Sequence, residues 1–174
     1  MRVLIIITVS LLFLSASGYG QGGARKAVAA QKAIYFYSFA TQVDWPEKFK
    51  SGNFVIGVYG DKELFQQLVS KLSSSKRGSQ PFKIVEFNSP DDIGECHILY
   101  VDETKSDVIS SKRKILKTNS TLVITSKKGV LVDGSIINFV YPSNRTMFEL
   151  SKSNATKSKL VIGKQISSLA VEVQ

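Results

Sequence analysis

Hydrophobic residues in this chain come in short runs separated by polar and glycine-containing joints, and the rhythm inside each run predicts its shape. The stretch from Ala24 to Val43 holds no Gly or Pro and sets Val28, Tyr35 and Phe39 beside Ala27 and Ile34 at helical spacing. It predicts a long helix with a wide aromatic face, following a joint at Gly22 and Gly23. That helix must stop before Trp45-Pro46, because the residue preceding a proline is pushed out of the helical region. "NFVIGVYG", ending at Gly60, is almost continuously apolar and predicts a strand buried on both faces. "DKELFQQLVSKL" then predicts a helix, with Asp61 as N-cap and Leu64, Leu68 and Leu72 recurring on one side. "SSSKRGSQ" reads as a loop, "FKIVEF" as a half-buried strand and "SPDDI" as a capped turn. "CHILYVD" reads as a buried strand, "SDVISSKRKIL" as a helix and "TLVIT" as a strand, with "KKG" as a hairpin-like reversal before "VLVD".

"GSIINFVY" and "RTMFEL" predict an antiparallel hairpin, with Pro142 and Asn144 supplying the turn. The tail from Ser151 predicts one or two short helices, the first capped by Ser151. Strand and helix alternate at the front and strands pair at the back, so the fold class is α/β, a single domain with a mixed β-sheet flanked by helices.

The first residues change the picture of where this domain works. Arg2 precedes an apolar run from Val3 through Leu14, followed by the small residues Ser15, Ala16, Ser17, Gly18 and Gly20, which is the layout of a cleaved export signal over 1–20. The apolar core is short of the roughly twenty residues that span a bilayer. The only cysteine is Cys96, so a lipoprotein anchor at the cleavage point is excluded. Residues 21–174 are then expected to be a soluble exported domain whose stability comes from packing, since one cysteine closes no internal disulfide. Its basic excess, about +8 once Arg2 is set aside, suits an anionic partner. Nucleic acid is not that partner: export argues against it, and the lysines are spread from Lys26 to Lys164 without a stripe of stacking aromatics. Lys76-Arg77 and Lys112-Arg113-Lys114 read as ordinary solvated groups.

Candidate chemistry is thin. Cys96 and His97 are neighbours, but adjacent strand residues point to opposite faces and cannot share a proton. A single histidine and a single cysteine do not assemble a zinc site, so no metal or cofactor is expected. Asp61-Glu63, Asp91-Asp92 and Asp102-Glu103 are explained by helix capping and not by paired acid-base work. "GYGQGG" lacks the spacing and the preceding strand of a dinucleotide fingerprint. Asn119, Asn144 and Asn154 each open an Asn-x-Ser/Thr triplet, which matters only in a cell that glycosylates exported chains.

The order of the pieces carries more information than any one of them. "KAIYFYSFATQVDWP", "FVIGVYGD", "CHILYVDE" and the block from Gly134 to Ala170, with Ile137-Asn138-Phe139 and Phe148-Glu149-Leu150, together resemble the YfiR family of bacterial periplasmic proteins over nearly the whole domain. The resemblance implies a regulator and not an enzyme: a brake that binds the extracytoplasmic domain of an inner-membrane diguanylate cyclase, or another membrane sensor such as a kinase, and lowers cyclic di-GMP output until stress or an outer-membrane partner removes it. It also implies a homodimer and several disulfides, which one cysteine cannot reproduce. The alternative is a sensory module that captures a small ligand. Tentative contact residues are Trp45 with Pro46, as an anchor or pocket lid or else as a packed structural corner. Gly60 and Asp61, near Gly57, join them at a strand end where open α/β sheets bind ligands, and so does Asn138, a polar residue in an apolar strand that needs hydrogen-bond partners.

Overall fold

In a computed structural model the described residues are 20–127, 129, 131 and 134–174. The expected export signal lies outside them, apart from Gly20. Helix α1 (Gly20–Gln42) begins before the expected joint and runs through Gly22 and Gly23. Gly weakens a helix interior by only about 1 kcal/mol. Its buried side is formed by Ala29, Ala33, Phe36, Phe39 and Ala40, whereas Ile34 is 64% exposed. The expected apolar face is therefore rotated: small residues let α1 sit close on the sheet, and Ile34 falls on the outer side.

After β1 (Val43–Asp44) come β2 (Phe54–Tyr59), α2 (Lys62–Leu72), β3 (Lys76–Arg77) and β4 (Gln80–Phe87). Then follow β5 (Ile98–Val101), α3 (Asp107–Ser111), α4 (Arg113–Thr118), β6 (Leu122–Thr125), β7 (Ile137–Val140) and β8 (Met147–Leu150). The chain ends with α5 (Lys152–Lys157), β9 (Val161–Ile162), α6 (Lys164–Leu169) and β10 (Glu172–Val173). The main sheet has eight strands in the order β10-β8-β7-β6-β5-β2-β4-β3, and β1 and β9 form a two-stranded sheet of their own. Strands β4, β2, β5, β6 and β7 run parallel, and β8 returns antiparallel to β7 as the hairpin pattern predicts. β7 lies parallel beside β6. Of the expected "KKG" reversal and "VLVD" segment, Lys128, Val130, Val132 and Asp133 lie outside the described residues. The single helix expected over "SDVISSKRKIL" is two, broken at Lys112.

Two cores flank the sheet. On one face α1, α2, α5 and α6 pack over Phe54, Ile56, Tyr100, Ile124 and Phe139. On the other, α3 and α4 cover Leu99, Val101 and Val123, with Cys96 among them. α2 therefore leaves β2 toward one face, and α3 leaves the adjacent β5 toward the other. Chain order reverses between these two strands, which is where an open α/β sheet parts into a crevice at the carboxyl ends.

Candidate functional site

That crevice is a cleft of about 580 Å³, lined by Gly60 and Asp61 after β2, Asp102 and Glu103 after β5, Ser126 after β6 and Tyr141 after β7, with α1 as its wall. Its size lies in the range usual for small-molecule sites. Gly60 is held at φ +92°, and a Cβ there would meet the Asp102 Cβ at 2.9 Å, so a larger residue would strain the turn and crowd the opening.

Asp61 has two tasks. Its Oδ1 accepts the Leu64 N–H at 3.0 Å and caps α2, as the sequence predicts. Its Oδ2 accepts from Lys32 Nζ at 3.1 Å. Lys32 is only 5% exposed and also donates to Tyr100 OH at 2.5 Å, its ammonium lying 4.6 Å from that ring's centre. Having accepted from Lys32, the Tyr100 hydroxyl has its own proton for Ser126 Oγ, 2.9 Å away. Burial pushes both phenols, Tyr100 and Tyr141, above the ordinary tyrosine range, with Lys32 pulling Tyr141 the other way. At neutral pH the floor of the cleft is thus an ion pair and neutral hydroxyls. Ser126 Oγ faces a neutral phenol, which is not a base toward it.

The expected contact residues do not converge. Trp45 is 2% exposed, donates from Nε1 to the Ser120 carbonyl at 3.0 Å, and stands edge-on to Phe54 at 5.0 Å. Its expected role as a surface anchor or lid gives way to the structural alternative, because the ring is inside the core. Pro46 opens the turn over Glu47–Phe49. This corner packs on the first residue of β2, whereas Gly60 follows the last. At about 3.3 Å per residue the two lie roughly 20 Å apart, so a site shared by Trp45 and Gly60-Asp61 does not form. Asn138 is fully buried on β7, where its Oδ1 accepts from Thr125 Oγ1 and its Nδ2 donates to Glu149 Oε2, each at 2.8 Å. Those neighbours supply the partners it needs. Asn154 is similarly engaged, with Nδ2 donating to the carbonyls of Leu131 and Ser135, so its nitrogen is closed to a glycan.

Cys96 and His97 do face opposite cores. Burial pushes the Cys96 thiol up to about 12. His97 Nδ1 accepts the Val55 N–H at 3.1 Å, so Nε2 carries the proton and donates to the Phe49 carbonyl at 2.8 Å. Burial lowers the His97 pKa, and the ring remains neutral. Among the described residues no group of three His, Cys, Asp or Glu could hold a metal ion.

Sequence reasoning reached Gly60 and Asp61 but missed Lys32, Tyr100, Ser126 and Tyr141. The missed signal at Lys32 is its spacing: it lies three residues after Ala29 and four before Phe36, a charge on the buried stripe of a helix. Arg77, taken as solvated, bonds the carbonyls of Ala40 and Val43.

The sequence pattern of the YfiR/HmsC-like family matches residues 29–171. Among solved structures, a conserved domain protein from Vibrio cholerae O1 biovar El Tor is similar in fold, with a TM-score of 0.58 and 13% identity over 84% of this chain. The chain spans 60% of that protein's length. No curated protein matches.

Proposed function

Because the chain belongs to the YfiR/HmsC-like family, whose members are periplasmic regulators and not catalysts, we propose that it acts by occupancy, binding the extracytoplasmic domain of an inner-membrane signalling protein and holding its output low. A diguanylate cyclase is the first candidate partner and a sensor kinase the second. The family match across residues 29–171 carries this reading. The site chemistry is compatible with it, because neither Cys96-His97 nor Ser126 is set up as a nucleophile with a base. Among the described residues no helix is long and apolar enough to cross a membrane, which suits a domain that meets its partner from the periplasmic side after removal of 1–20. The test is co-purification of the exported chain with tagged inner-membrane sensors, together with cyclic di-GMP in a deletion strain. A recovered sensor with raised output supports masking; no sensor and unchanged cyclic di-GMP overturn it.

The cleft favours a second reading, a sensory module for a small polar ligand held between Lys32, Tyr141 and the Asp102-Glu103 rim. A ligand that binds only the folded state raises its melting temperature with the logarithm of ligand excess over Kd. Periplasmic metabolite fractions should therefore stabilise the wild type and leave Lys32→Met unaffected. Equal shifts in both proteins would remove the cleft from consideration.

A further inference from the structure

The carboxyl-terminal part of the chain carries a second concavity, on surface that the cleft does not use. A groove of about 350 Å³ runs between α5 and β9, with Ala155 and Leu160 as its floor, Val161 and Ile162 along one side, and Lys152 and Lys159 beside it. Val161 is 66% exposed, a large apolar side chain open to water at the groove's edge. Among the described residues β9 pairs only with β1. Gly163 N donates to the Gln42 carbonyl, so by strand alternation the N–H and C=O of Ile162 point away from β1, toward the open edge.

Lysines outnumber acids around this edge. Between Glu149 and Glu172 the chain has no acidic residue, and Lys152, Lys157, Lys159 and Lys164 are all exposed. The acid nearest in pairing, Asp44 opposite Val161, is already held by Lys50 at 3.2 Å and Arg77 at 3.7 Å. Lys159 adds an independent observation. It follows α5 with φ +59°, a position where helices ordinarily place glycine, and the turn closes with Leu160 N donating to the Ala155 carbonyl. That backbone places the Lys159 ammonium beside the groove at a position where glycine would cost less.

We propose that this groove docks an extended acidic and apolar segment of a partner protein, which adds as a strand to β9, sets apolar side chains on Ala155, Leu160 and Val161, and pairs its carboxylates with Lys152 and Lys159. A second copy of this chain is the wrong occupant, because lysine would meet lysine. A lipid surface is flat, whereas the groove is concave with charge beside it. The proposal locates a contact for the partner in the regulator reading and so rests on that reading.

The probe is a short fluorescent peptide alternating Glu and Val, titrated against the purified chain by anisotropy. A Lys-Val peptide and phosphatidylglycerol vesicles are run in parallel. The Glu-Val peptide should bind, weaken with salt, and lose about tenfold in affinity with Lys152→Glu or Lys159→Gly. Lys157→Glu and Lys164→Glu, which change charge outside the groove, should weaken binding far less than Lys152→Glu. Lys159→Gly relieves the backbone, so its melting temperature should stay level or rise while binding falls, a combination that misfolding cannot imitate. Equal binding of both peptides, equal losses in groove and control variants, or vesicle binding in place of peptide binding would overturn the proposal. In cells the two readings separate. Sensor recovery unchanged by Lys152→Glu removes the groove and keeps the regulator, whereas peptide binding that needs the groove, without any sensor recovered, does the reverse.

Discussion

Lys32 is a charge where α1 would ordinarily present a hydrocarbon. Its ammonium and the Asp61 carboxylate have side chains only 7% and 14% exposed, so each depends on the other more than a surface pair would. Replacing Lys32 by Met keeps the volume but leaves Asp61 Oδ2 without its cation. The expected loss is about 3 kcal/mol of unfolding free energy in urea, at the low end for breaking a buried pair. Adding Asp61→Asn, which still caps a helix well, should recover at least half of that loss. Additive losses in the double variant would show that the two groups do not act as a pair. His97 makes a prediction about pH. Burial lowers its pKa below the ordinary 6.5, with the Arg77 charge adding and the Phe49 carbonyl opposing. The folded state therefore binds fewer protons than the unfolded chain just below pH 6.5. Stability attributable to His97 is full above that value and declines as the pH falls through it toward the lowered folded pKa. Protonating Nδ1 would also break its bond from the Val55 N–H. Urea midpoints should fall on mild acidification, and the slope should flatten in His97→Gln; an unchanged slope would assign it to carboxylates.

Arg77 shows how one side chain closes an element. Its Nε donates to the Ala40 carbonyl at 2.6 Å and its Nη2 to the Val43 carbonyl at 3.1 Å, placing a cation at the carbonyl end of α1. The same guanidinium lies 5.2 Å from the Trp45 ring centre, tying the helix end to the Trp-Pro corner. Arg77→Ala should cost about 2 kcal/mol, since it removes charge-assisted bonds to two carbonyls. It should also speed amide exchange in the last turn of α1 more than in α2. Arg77→Lys should recover little, because one ammonium does not span both carbonyls as the fork does. Uniform exchange across both helices would mean that Arg77 acts on global stability alone. None of this was legible in "SSSKRGSQ", where two lysine-like letters in a serine-rich stretch read as loop. Helix α2 was legible because its cap and its Leu64-Leu68-Leu72 stripe are local signals within a few turns. Strands of two residues such as β3 and β9 have no period to detect. Lys32 escaped for the complementary reason: its partners Asp61 and Tyr100 are distant in sequence, and only the sheet order brings them together.

Sheet order also decides what the whole molecule can do. The sequence yielded the elements and the α/β class, yet not which end of β2 each candidate occupies. Strand order sends Trp45 to the amino end of the sheet and Asp61 to the carboxyl end, separating architecture from cleft. The same packing bears on redox behaviour. Disulfide-bearing relatives would gain stability from bridges that constrain the unfolded chain. Here the single Cys96 is 2% exposed between the sheet and α3-α4, with its thiol pushed up to about 12. It can form neither an internal bridge nor, while folded, a bridge to a second copy, and as a buried thiol it is a poor nucleophile. The melting temperature should therefore be the same with and without dithiothreitol. A thiol reagent should label Cys96 only as the chain unfolds, with the labelling midpoint tracking the urea transition. Labelling of the native protein, or a melting temperature that drops on reduction, would show that the core around Cys96 opens or that a covalent dimer forms. Either result would open Cys96 to oxidation in the folded state, whereas a closed core keeps it out of redox control.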